Sequence, residues 1–240
     1  MSLAEARTQT PQDNAQSNAQ NNAVADVLRK LAVVWTDFEG LLQATPLIRK
    51  LTRGRFELAD YQAFLVNLRQ QVKDGSLWMS RAASSIGEEH LELRSTLMKH
   101  AVTEHRDFRM LEADYVASRG TLAEIQGADK NIGSEALSAW MFNEASKPNP
   151  FGLLGAMFII EGLGSIKAQE WGRMAQRRLG MPEDAFKFLL YHGENDAEHM
   201  KEFEEMLRMV LPDDAVATRI VTCARVTARL YALQIEEIVA

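Results

Sequence analysis

From Val24 to the end of the chain, apolar residues return every three or four positions, and no stretch has a convincing strand pattern. That period admits helices and little else. Val27, Leu28, Leu31, Val34, Trp35, Phe38, Leu41 and Leu42 mark one face of a first helix. Thr45-Pro46 ends it, because the residue before a proline resists the helical conformation. A second helix is predicted from about Leu58 to Ile86, with Gly87 as its breaker, and a third from Glu88 to Ser118, stopped by Gly120. Residues 119–134, with three glycines, read as a loop. Further helices are predicted over Glu135–Ala145, Phe151–Leu179 and Glu183–Val210, and Pro212 opens the last. The expectation is an all-α bundle of seven helices in a single domain, residues 23–240. Residues 1–22 are rich in Ala, Gln and Asn and lack any aromatic side chain, so they read as a flexible N-terminal tail.

Bulk properties narrow the function classes. A net charge of -6 argues against a nucleic-acid binder, which needs a basic face. One cysteine, Cys223, builds neither a disulfide framework nor a thiolate metal site, which fits a cytoplasmic setting. No apolar run reaches the roughly 20 residues of a membrane helix, and the N-terminus lacks the pattern of a signal peptide.

Four of the five histidines fall in two short segments. His100, Glu104 and Asp107 are spaced i, i+4, i+7, and so are His192, Asp196 and His199. At about 100° per residue each set spans an arc of roughly 60°, so its three side chains share a helix face. A charged outer face produces one such ladder readily; two matching ladders in a chain so poor in histidine point to metal ligation. His90 and His105 lie off these faces and read as surface or supporting residues.

Glu161 is the third element. It is the only charge in Phe151–Gly164, among thirteen uncharged residues. A carboxylate buried there is costly unless it is paired or binds a metal. The alternative partner is a buried arginine such as Arg69 or Arg81. Asp74, in Arg69-Gln-Gln-Val-Lys-Asp74-Gly, reads equally well as a ligand or as a polar surface residue.

In chain order these form a single carboxylate, a carboxylate-bearing pair, a second single carboxylate, and Asp196-x-x-His199. Two-metal helical bundles use this logic. Oxygen donors with a few imidazoles suit iron or manganese, between which the sequence does not choose, better than copper or zinc. Asp107 stands where that pattern has a histidine, and His100 and His192, one turn upstream, can compensate.

The segments Phe158-Ile-Ile-Glu161-Gly-Leu-Gly, Tyr191-His-Gly-Glu-Asn-Asp196-Ala-Glu-His199 and His100-Ala-Val-Thr-Glu104-His-Arg-Asp107 resemble the haem-oxygenase-like diiron oxidase and oxygenase superfamily. The resemblance covers about residues 25–235. It implies a seven-helix bundle related in fold to haem oxygenase, thiaminase II and pyrroloquinoline-quinone synthase. It implies that Glu161, His192, Asp196 and His199 are ligands, that Glu104 is a ligand carboxylate, and that Asp74 matches a first-helix ligand that is usually Glu. His100 lies one turn before the motif, and Asp107 replaces the usual histidine. No histidine precedes His90 to serve as a proximal haem ligand, and Cys223, in the last helix, reads as a core residue rather than a nucleophile.

The function expected is oxidation of a small organic substrate by dioxygen at two iron ions (or manganese). The metal ligands alone carry the chemistry, and electrons come from an external donor, since no flavin or nicotinamide motif is present. The competing readings are a metal-binding or interaction protein without turnover and a cofactor-free oxidase of the same fold. A homodimer is the expected assembly. Arg49, Lys50, Arg53 and Arg55 read either as solvated loop charge or as a docking patch for an acidic partner.

Overall fold

The computed structural model of the chain describes residues 11–238, with side chains for 17–193 and 201–238. Eleven α-helical segments and no strand are present among the described residues. They are α1 (Pro11–Ala44), α2 (Pro46–Thr52), α3 (Leu58–Ser84), α4 (Leu91–Glu104), α5 (Phe108–Ala117), α6 (Leu122–Gly127), α7 (Ile132–Ala145), α8 (Leu153–Leu163), α9 (Gln169–Leu179), α10 (Lys187–Val210) and α11 (Asp214–Glu236). A π-helical turn, Gly164–Ala168, joins α8 to α9.

The all-α expectation holds; the count of seven does not. Four local features account for the difference, one of them the π turn, which divides the helix expected over Phe151–Leu179 into α8 and α9. Thr45-Pro46 not only ends α1 but starts α2. The Thr45 hydroxyl accepts the Ile48 amide at 3.4 Å, and Pro46 opens the new helix. Thr121-Leu-Ala-Glu124 forms a capping box that folds α6 inside the stretch read as loop. The single helix expected over Glu88–Ser118 is interrupted at residues 105–107. There the Asp107 amide donates to the Glu104 carbonyl, 3.2 Å, and the His105 ring nitrogen to the Val102 carbonyl, 2.6 Å. The first helix also reaches back to Pro11, although Val24 is its first buried side chain among those described.

Packing runs α3 against α4, α5 and α7; α11 against α1, α7 and α8; and α10 against α8, α9 and the π turn. Glycine permits the closest crossing. A Cβ on Gly155 of α8 would lie 1.9 Å from the Ile220 carbonyl of α11. No helix among the described residues is long and apolar enough to cross a membrane.

Candidate metal centre

Four segments converge on one buried polar cluster. The inward face of α4 supplies His100 and Glu104, and the turn after it supplies Asp107. Glu161 comes from the apolar helix α8, and His192 from α10. His100, Asp107, Glu161 and His192 are each at most 8 % exposed. His100 Nε2 lies 3.1 Å from Glu161 Oε1, and His192 Nε2 lies 3.3 Å from Asp107 Oδ2. Glu104, Asp107 and His192 each present a ligand atom within 4.8 Å of the others. Glu202, on the exposed side of α10, brings Oε2 to 3.7 Å from His100 Nδ1.

The first ladder therefore keeps its three side chains on one side despite the broken helix. Asp107 keeps helical dihedrals (φ -66°, ψ -26°) through the turn, so its side chain still follows those of His100 and Glu104. The arginines considered for Glu161 are engaged elsewhere: Arg69 with Glu112 at 2.7 Å and Arg81 with the Ser146 hydroxyl at 3.0 Å. Glu161 meets an imidazole instead.

Electrostatics in the cluster favour a cation. Burial pushes the Glu104 carboxyl up to about 7; the Glu161 and Asp107 carboxylates push the same way, and His192 and His100 oppose them. Three carboxylates and two imidazoles gathered in a largely buried cluster, with no thiolate, form a donor set that fits iron or manganese. The residues present thus fit the metal that the sequence implies.

The cluster closes the polar side of a cavity of about 90 Å³. Its walls are largely apolar, with Leu68 and Trp78 from α3, Met157 and Ile160 from α8, Phe188 from α10 and Tyr231 from α11. Gly164 and Ala168, at the two ends of the π turn, also face it. Such turns insert one extra residue into a helix and recur at functional sites.

Asp74 is not brought to this cluster. Its Oδ2 is bonded by Lys130 Nζ at 2.5 Å and by the Ser138 hydroxyl at 2.7 Å, and it borders a separate small cavity against α7. The α3 residues that face the main cavity are Phe64, Leu68, Gln71, Val72, Gly75, Trp78 and Met79. That stripe was readable from its three- and four-residue spacing, and Asp74 sits one residue off it. Gln71 is the polar side chain that α3 contributes, and its neutral amide carries no ligand signal in the sequence. Asp196 and His199 lie on α10, but their side chains fall outside the described residues.

Another residue escaped the sequence reading. Asp114, fully buried on α5, accepts the Lys187 amide at 3.1 Å and the Phe188 amide at 2.9 Å. It caps the start of α10 from a different helix and so fixes the helix that carries His192. Burial pushes its carboxyl up to about 6, against the two amide hydrogen bonds. His105 is exposed, as expected, and His90 packs edge-on against Phe151. Cys223 is buried in α11, where burial, aided by Glu144, pushes its thiol up to about 12.

Comparison with known proteins bears on the family and the fold. A family model described as iron-containing redox enzyme, of haem-oxygenase type, matches residues 77–232. A crystal structure from Shewanella denitrificans, of a domain of unknown function with a haem-oxygenase-like fold, superposes with a TM-score of 0.80 at 18 % identity, covering 89 % of this chain and 90 % of that one. A TenA homologue from Pseudomonas syringae pv. tomato gives 0.71 at 15 % identity, over 88 % of this chain and 92 % of its own. A TenA homologue from P. horikoshii gives 0.67 at 11 %, over 89 % and 96 %. At these identities the structures share the fold. No curated protein matches the sequence.

Proposed function

Because this chain belongs to the family of iron-containing redox enzymes, we propose that it is a non-haem diiron oxidase or oxygenase, which uses dioxygen to oxidise a small organic substrate. One observation carries this reading: His100, Glu104, Asp107, Glu161 and His192 form a largely buried cluster, of which Glu104, Glu161 and His192 line an apolar cavity. Asp196 and His199 complete the ligand set in this proposal, since they follow His192 on α10 at helical spacing.

Bound iron supplies the electrons and Lewis acidity that dioxygen chemistry requires. The protein's own part is to hold and to exclude. His100 fixes one oxygen of Glu161, whose carboxylate lines the cavity. Asp107 orients the His192 ring. Asp114 holds the first turn of α10 and with it the height of His192 along the cavity wall. Met157, Ile160 and Phe188 keep water from the reacting atoms and give an apolar substrate its binding surface. Reducing equivalents come from an external donor.

The test is oxygen uptake by the iron-loaded protein with a chemical reductant, read with an oxygen electrode. Uptake that depends on protein-bound iron and falls at least tenfold in Glu161→Gln supports the enzyme. Iron binding with no oxygen uptake above that of free iron would leave a metal-binding protein without turnover.

A further inference from the structure

Trp171 is a wall common to two spaces. On one side is the apolar cavity beside Glu161; on the other is a surface cleft of about 320 Å³ between α1, α2 and α9. A small apolar pocket between them shares Ile48 with the cleft, shares Phe64 and Leu189 with the cavity, and also reaches Trp171. The π turn has a face on each space, with Gly164 and Ala168 toward the cavity and Lys167 toward the cleft.

The charges of the cleft are unevenly satisfied. Lys167 Nζ lies 2.5 Å from Glu39 and 3.6 Å from Glu170, so those three groups answer one another. Lys50, in the neighbouring segment, is held by Asp60 at 2.5 Å. Arg49 and Arg53 line the cleft and form no ion pair among the described residues. Lys167 with Glu39 and Glu170 leaves one negative charge, so the two arginines make the cleft positive by one, on the far side of Trp171 from the carboxylates and imidazole that line the cavity.

We propose that this cleft is the mouth of the cavity, and that Arg49 and Arg53 hold the carboxylate or phosphate of a substrate whose apolar part passes Trp171 toward Glu161. The inference rests on the oxidase reading for what happens at the inner end. The polarity of the path sets the orientation. An apolar passage does not solvate an anion, whereas two guanidinium groups at its mouth bind one through charge-assisted hydrogen bonds. The position oxidised is then on the apolar part, remote from the anionic group.

Binding of hexanoate, hexyl phosphate and hexan-1-ol to the full-length protein at low salt, followed by tryptophan fluorescence, tests this without any turnover. At least one anion is expected to bind about tenfold more tightly than the alcohol, the margin two charge-assisted contacts at an exposed site supply. The stronger anion identifies the group recognised. Arg49→Ala with Arg53→Ala removes the preference, whereas Arg55→Ala, in the same segment but off the cleft, retains it. The fluorescence change is expected to shrink in Trp171→Phe, with Trp35 of the cleft and Trp78 of the cavity reporting the remainder. Anions that bind no better than the alcohol, or a preference that survives the double substitution, would overturn the proposal. Failure of oxygen uptake alone would leave these binding results, and the mouth, standing.

Discussion

His100 on α4 and Glu161 on α8 meet at 3.1 Å, with an imidazole nitrogen facing a carboxylate oxygen in the interior of the bundle. The two residues are 61 apart in sequence, and the pair ties the first histidine ladder to the most apolar helix of the protein. A neutral residue in place of Glu161 is expected to leave the fold intact, because it removes one of three crowded carboxylates. Glu161→Gln should therefore melt within a few degrees of the parent when metal-free, yet bind less iron. Thermal unfolding and iron analysis of the same preparation check both halves.

Asp74 is the counterpart. Its carboxylate serves Lys130 and Ser138, so Asp74→Asn should bind as much iron as the parent. Its cost should appear in stability, at about 1 kcal/mol for a partly buried ion pair and one hydrogen bond. Loss of iron in this variant would mean that α3 supplies a ligand after all.

Asp114→Ala leaves two amides at the start of α10 without their acceptor, at a cost of about 2 kcal/mol by urea unfolding. The gap should depend on pH. The folded carboxyl titrates at about 6 and its reference value is 3.8, so the folded state holds the proton more tightly. The stability this brings is fully present below the lower value and is lost as pH rises through the upper one. The difference between parent and Asp114→Ala should accordingly be larger at pH 4.5 than at pH 7.

Gly155→Ala forces a methyl group to within 1.9 Å of the Ile220 carbonyl unless α8 and α11 move apart. Backbone is the obstacle, so no side chain can turn away to relieve it. A loss of at least about 2 kcal/mol is expected in chemical denaturation.

Much of the site was legible because burial and period leave marks in a sequence. Glu161 stands out as a lone charge in an apolar helix, and His100, Glu104 and Asp107 share one face. Other features were hidden for physical reasons. The break after Glu104 comes from a tightened turn supported by a ring nitrogen of His105, which no periodicity records. The π turn at Gly164–Ala168 comes from an extra residue accommodated in packing rather than from composition. Asp114 acts on amides 73 and 74 positions away, a relationship only the folded chain creates. Asp74 lies away from the cluster for a different reason: it sits one residue off the stripe Leu68, Gln71, Val72 and Gly75 that faces the cavity.

Anaerobic titration of the metal-free protein with iron(II), with stoichiometry read at equilibrium, tests the central claim most directly. About two irons per chain are expected to bind, with a marked loss in Glu161→Gln and His192→Ala and none in Asp74→Asn. A protein that keeps its helical fold but takes up no iron, or takes it up equally in all three variants, would contradict the account.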